Sequence, residues 1–120
     1  MDKKIMVIDD DKDFLDELAE SLVLNEYEVI AVHDPLTAME VASKENPDLI
    51  LLDIKMPGES GFQLACKLKF FSSLSHIPII AMTGYFKDEY IPLMHTYGIS
   101  NYIKKPFDTV EIVSKIERVV

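Results

Sequence analysis

The 120 residues contain one cysteine, Cys66, so no internal disulfide can staple the fold. A lone thiol fits a reducing cytoplasm, where the chain holds its shape by packing alone. Cys66 falls on the apolar side of a helical pattern, which favours a packing role over a reactive one. Long hydrophobic runs are also missing. The longest apolar stretches are about four to six residues, against the roughly 20 that a membrane-spanning helix needs. The opening MDKKIMVIDDD has a basic start but no sustained apolar core, so it does not read as a secretory signal. Positive charge is scarce: 12 Lys and Arg face 21 Asp and Glu, for a formal net charge of −9. That balance argues against a nucleic-acid partner, because backbone affinity comes from Lys and Arg displacing counterions. There is likewise no basic amphipathic stretch to hold a membrane. His33, His76 and His95 are too scattered for a metal site or a triad. No repeat, low-complexity tract or linker divides residues 1–120, which read as one domain.

With 48% hydrophobic and 28% charged residues, the chain can bury a core of its own, and disorder is not expected. Strand and helix signals alternate along it. KIMVID (4–9) predicts a first strand, and DFLDELAESLVLN (13–25) a helix with Phe14, Leu18 and Leu22 on one stripe. EVIAV (28–32) predicts a second strand. DPLTAMEVASKEN (34–46) predicts a helix with Pro35 in its first turn and a stop at Asn46-Pro47. DLILLD (48–53) is apolar on both faces and therefore central. SGFQLACKLKFF (60–71) is helical, with Phe62, Ala65, Leu68 and Phe71 recurring at three- and four-residue steps. IPIIAMT (77–83) predicts a fourth strand. KDEYIPLMHTYG (87–98) is the weakest helix, with Pro92 inside it and Gly98 closing it. NYIKK (101–105) is a short fifth strand. DTVEIVSKIERVV (108–120) ends as a helix capped by Asp108 or Thr109, with Val110, Val113, Ile116 and Val120 on its stripe. Five strands and five helices in strict alternation imply an α/β fold: a doubly wound parallel sheet with helices on both faces.

In such sheets the functional crevice lies at the carboxyl ends of the strands, where strand order reverses. Asp9, Asp10 and Asp11 close the first strand, Asp53 the third and Thr83 the fourth, and Lys105 follows the fifth. In a 2-1-3-4-5 order, strands one and three are neighbours at that point. Asp9, Asp10 and Asp53 would then share one pocket, with Thr83 and Lys105 at its rim. Two unit charges about 4 Å apart cost about 4 kcal/mol at an effective dielectric near 20. Such a cluster must protonate or recruit a cation. Its donors are all hard oxygens, which suits Mg²⁺. A carboxylate beside Mg²⁺ can attack a phosphoryl group, with a hydroxyl and an ammonium to hold the phosphoryl oxygens.

VIDDD, PDLILLDIKMPGESG, IIAMTG and GISNYIKKPF together resemble the receiver domain of two-component response regulators, over the whole chain. A single-domain, chemotaxis-regulator-like member is the type they resemble. The flavodoxin-like order 2-1-3-4-5 is that of a chemotaxis member of this family, so the order comes with the resemblance rather than from the pattern. The resemblance implies that Asp53 is the phosphoacceptor and that Asp10 binds Mg²⁺ directly, with Asp9 as its partner. The backbone carbonyl of Lys55 would complete the protein's share of the coordination. Thr83 and Lys105 would hold the phosphoryl group. Thr83 and Tyr102 would form the switch, Tyr102 turning inward as Thr83 moves toward the phosphate. The Lys105-Pro106 bond is expected to be cis. Lys55 and Tyr85, two residues beyond Asp53 and Thr83, are expected to tune loss of the phosphoryl group, Tyr85 by shielding it from water.

The implied partners are a sensor histidine kinase or a histidine phosphotransfer protein, and a downstream protein docked through the switch region; a phosphorylation-dependent homodimer is a further expectation. The chain would be a phosphoacceptor in the cytoplasm, limited to self-phosphotransfer and self-dephosphorylation, rather than an enzyme. Two rival classes share the fold. A phosphorylation-independent interaction module could dispense with the acids, Thr83 and Lys105. A phosphohydrolase with an aspartyl intermediate would want an acid where Lys55 stands. Asp9, Asp11, Asp13 and Glu20 also mimic the spacing of an EF-hand loop. Its sharp-turn glycine is replaced by Phe14, however, and a strand rather than a helix precedes it.

Overall fold

The computed structural model describes residues 2–56, 60–84 and 87–120. Its strands are β1 (Lys4–Ile8), β2 (Glu28–Val32), β3 (Leu49–Asp53), β4 (Ile79–Thr83) and β5 (Asn101–Lys104). Its α-helices are α1 (Lys12–Leu24), α2 (Ala38–Glu45), α3 (Gly61–Phe70), α4 (Tyr90–Thr96) and α5 (Thr109–Val119). The strands form one sheet in the order β2-β1-β3-β4-β5, with every neighbouring pair parallel. All residues of β3 and β4 are buried, as strands covered on both faces must be. The expected fold is thus the observed one.

Strand alternation sorts the core into two layers. Ile5, Val7, Leu49 and Leu51 pack with α1 and α5, whose Leu18, Leu22, Ile112 and Ile116 are buried. Met6, Ile8, Ile50 and Leu52 pack on the other side, with Ala42 of α2, Leu64 and Leu68 of α3 and Met94 of α4. Among the described residues, no helix is long and apolar enough to cross a membrane.

The helices depart from their expected limits and stripes for identifiable reasons. Asp34 accepts a hydrogen bond from Leu36 N at 3.0 Å, and Pro35–Thr37 form a 3₁₀ turn before α2 begins. Asn46, in a left-handed conformation (φ 47°), ends α2. α4 starts at Tyr90 rather than Lys87, which puts Pro92 in the first turn, where its missing N–H breaks no helical bond. In α1 the buried residue is Leu15 instead of Phe14. In α3 Gly61 and Leu64 join Ala65 and Leu68 inside, while Phe71 caps the helix and is 55% exposed. In α5 the buried pair is Ile112 and Ile116, and Val110 is 78% exposed. Apolar residues crowd more than one face of α5, and the larger isoleucines take the sheet contact because they remove more area from water.

Candidate functional site

β1 and β3 are adjacent and in register through Ile8 and Leu52, so the residues that follow, Asp9 and Asp53, emerge side by side. Asp9 continues the row of Ile5 and Val7, and Asp53 that of Leu49 and Leu51. Asp9 is fully buried and Asp53 is 6% exposed, while Asp10 is exposed. Carboxylate oxygens of Asp9, Asp10 and Asp53 all lie within 4.8 Å of one another. Two pieces of chain more than 40 residues apart are thereby joined in one acidic pocket.

Lys105 enters from the far side of β4. Its backbone N–H donates to Thr83 O at 2.7 Å, and the Lys105-Pro106 peptide is cis. Its ammonium lies 2.7 Å from Asp9 Oδ2 and 3.8 Å from Asp53 Oδ1. The same Nζ sits 4.0 Å from the centre of the Phe14 ring, which meets Phe107 edge-on at 5.8 Å. This explains why Phe14 leaves the core stripe of α1. Its ring supports Lys105 through a cation–π contact. The free oxygen of Asp9 is also used, since Oδ1 accepts from Asp11 N at 3.0 Å. Asp11 itself caps α1 by accepting from Phe14 N.

Asp53 accepts one backbone N–H, from Lys55 at 3.4 Å. Burial pushes its carboxyl up from 3.8 to about 7, and the charge of Asp9 pushes the same way. Lys105 and the Lys55 N–H pull it down without cancelling the rise, and Asp10 adds a smaller upward push. Among the described residues, three carboxylates against one ammonium leave the pocket short of positive charge. Its hard oxygen donors fit Mg²⁺ better than a soft metal.

Thr83 ends β4 and is 2% exposed. It shares its strand face with Ala81, whose partner across the ladder is Tyr102. Tyr102 is half-buried against the α2–α4 layer, and Lys115 Nζ lies 5.7 Å from its ring. Thr83 and Tyr102 therefore lie on one side of the sheet, opposite the row that carries Asp53. Lys55 is exposed just past β3. Tyr85 lies outside the described residues.

Two contributors went unnoticed in the sequence. Phe14 was one, hidden because it also suited a core stripe. Gly61 is the other. A side chain there would overlap the Asp53 carbonyl oxygen and stand 2.7 Å from Ile54 Cα. Gly61 N donates to Ile54 O at 2.8 Å, so α3 starts directly against the end of β3. Ser60 caps that helix in a reciprocal box with Gln63. A glycine just inside a serine-capped helix is the available signal for such a close approach.

Known proteins match both sequence and shape. The response regulator receiver domain profile matches residues 5–117. The chain is similar in structure to the chemotaxis protein CheY4 of Vibrio cholerae, with a TM-score of 0.96 at 24% identity over 100% of both chains. It is similar to a CheY-like receiver domain protein from Methanospirillum hungatei, with a TM-score of 0.91 at 28% identity, covering 98% of this chain and 93% of that one. The receiver domain of a signal transduction histidine kinase from Syntrophus aciditrophicus gives 0.87 at 26%, over 98% and 89%. The profile spans the strand ends that carry Asp9, Asp53, Thr83 and Lys105, and with it the chain belongs to the response regulator receiver domains of two-component systems.

Proposed function

We propose that this receiver accepts a phosphoryl group on Asp53 in a Mg²⁺-dependent reaction and changes its protein contacts as a result. The observation that carries this reading is the pocket itself: three carboxylates within 4.8 Å, two of them buried, with one ammonium 3.8 Å from Asp53. Asp9, Asp10, Asp53 and the Lys55 carbonyl would hold the ion, which supplies charge neutralisation at the phosphoryl oxygens. An Asp53 oxygen would attack phosphorus as the bond to the donor breaks. The donor would be a phosphohistidine on a sensor kinase or phosphotransfer protein, and its imidazole would leave. Lys105 would exchange part of its contact with Asp9 for a phosphoryl oxygen, steered by the Phe14 ring. The Thr83 hydroxyl would donate to another.

Movement of Thr83 would free space on the face it shares with Tyr102. The inward Tyr102 state would then be favoured, and a downstream protein would read the change. Such a chain is a phosphoacceptor rather than a turnover enzyme.

Incubation with acetyl phosphate and Mg²⁺ followed by intact mass tests the reading. A gain of one phosphate that Asp53→Asn abolishes supports it. No gain favours a phosphorylation-independent interaction module, and continuous phosphate release with no stable adduct favours a hydrolase.

A further inference from the structure

Between α3 and α4 lies a trough made of two adjoining hollows, on the opposite side of the sheet from α1 and α5. The larger, about 940 Å³, is lined by Phe62 and Tyr97 and rimmed by Leu36 and Leu93. Phe62 meets Tyr97 at 5.9 Å and Tyr90 edge-on at 5.4 Å, so this end has an aromatic floor. The smaller, about 370 Å³, shares Cys66 and Tyr97 with it and reaches Phe70. Along α3, Phe62, Cys66 and Phe70 recur every four residues and form one row. The two ends of this row differ. Phe62 is half-buried in the floor of a hollow, whereas Phe70 projects into water and is 83% exposed. Cys66 stands midway, four residues from each.

Apolar exposure singles out this face. Among the described residues the exposed phenylalanines are Phe70 and Phe71, both at the end of α3, and Leu36 and Leu93 on the trough rim are exposed as well. The hollow beside β5 and α5 carries Lys104 and Lys115 with Glu111 but no exposed valine, leucine, isoleucine or phenylalanine. The hollow between α1 and α5 has none either, and the one beside Asn25 has Val110 alone. Charge then decides what can approach. Sixteen of the 21 acidic residues precede Ser60, and neither α3 nor α4 contains an acid. Two copies of net charge −9 therefore repel least across this face. Lys69 does not reach outward, because its ammonium donates to Ser75 O and Ile77 O at 3.0 Å each. The row of Phe62, Cys66 and Phe70 itself carries no formal charge.

We propose that the α3–α4 trough is a contact between two copies of this chain. A two-fold axis beside Cys66 runs the two α3 helices antiparallel. Residues equally far from Cys66 on either side then face each other. Phe70 of each copy meets Phe62 of the other and enters the hollow rimmed by Leu36 and Leu93. One row thus supplies both the projection and the recess, which is what a two-fold contact demands of a single surface. With about 200 Å² for a whole large apolar side chain, Phe70, Phe71, Leu36 and Leu93 together expose roughly 500 Å² per copy. Covering that area on both copies, with the polar rim, reaches the lower end of specific interfaces, about 1,200 Å² in total. The dimer is accordingly reversible rather than permanent. No residue of the acidic pocket takes part, so the contact requires no phosphoryl chemistry.

Sedimentation of the unphosphorylated whole chain, from about 1 to 500 μM, should show a monomer–dimer equilibrium with its midpoint at about 10–100 μM. Each substitution enters a two-fold contact twice. Phe70→Ser, at a side chain already in water, should therefore weaken the dimer roughly tenfold or more while thermal unfolding stays unchanged. Leu36→Ala should weaken it several-fold, and Val110→Ala, on α5, should leave it as it is. The single cysteine reports the axis: a short bismaleimide should join Cys66 of one copy to Cys66 of the other, and should fail to do so in Phe70→Ser. A monomer throughout the range overturns the proposal. So does a dimer that Phe70→Ser and Leu36→Ala both leave intact, or one whose two Cys66 thiols lie beyond the linker.

Discussion

Asp53 is 6% exposed and Leu36 is 79% exposed. Each is the reverse of what its chemistry prefers, because burying a carboxylate and wetting a leucine both cost free energy. The acidic pocket hides charge that water would stabilise, and the α3–α4 trough shows apolar surface that a core would stabilise. The pocket is built from strand ends far apart in the chain and held by short contacts to Lys105 and backbone N–H groups. The trough is built from two helices and a rim of unpacked side chains. The first arrangement gathers hard oxygen donors, which suit a small hard ion. The second leaves apolar side chains in water. Departures from good burial mark both places, with opposite signs.

The comparison can be broken most severely at Gly61. Gly61→Ala drives a Cβ into the end of β3, and an overlap with backbone cannot relax as a flexible side chain could. We expect a loss of about 3 kcal/mol or more in urea unfolding. A loss below about 1 kcal/mol would mean that the β3–α3 junction is far looser than its geometry indicates.

Next in size is the pH dependence of the pocket. The Asp53 carboxyl is raised from 3.8 to about 7, so its contribution is fully present below the ordinary value and lost as pH rises through about 7. In metal-free buffer, wild-type stability should therefore fall relative to Asp53→Asn between pH 5 and 7, by up to about 1.4 kcal/mol per unit. Parallel curves for the two proteins would show that burial does not strain this carboxyl. Because the ion needs the ionised form, Mg²⁺ affinity measured by titration should strengthen over the same range.

A smaller effect is expected at Phe14. Losing a partly buried cation–π contact of about 0.5–2 kcal/mol should slow phosphate uptake from acetyl phosphate by roughly two- to thirtyfold in Phe14→Leu. Uptake at the wild-type rate would remove the ring from any part in placing Lys105. Smallest of all is Leu36→Ala, which should leave stability within about 0.5 kcal/mol because its side chain is mostly in water. A larger loss would show that the rim of the trough is part of the core after all.

The alternation of strands and helices was legible because both periods are strong here, and the central position of β3 followed from its unbroken apolar run. Within helices the buried faces were less legible. α5 carries valines and isoleucines on more than one side, and periodicity alone picked Val110 where packing chose Ile112. Pro92 marked α4 as weak, but only the fold showed that the helix begins late enough to place the proline in its first turn. The acids at the strand ends could be singled out from position. Their partners could not: Phe14 looked like a core residue, and the need for Gly61 arises from a backbone that approaches from elsewhere.

By itself, the sequence determined which residues form strands and helices, where the acids fall along them, and how unevenly charge is shared between the first 59 residues and those that follow. These are local properties, set by side-chain period and composition. Tertiary structure alone decided that Asp9 and Asp53 stand side by side, that the ammonium of Lys105 rests on Asp9 at 2.7 Å, and that two acid-free helices enclose a trough. Each of these is a distance between parts remote in the chain, and such distances exist only once the sheet has fixed which strand lies beside which.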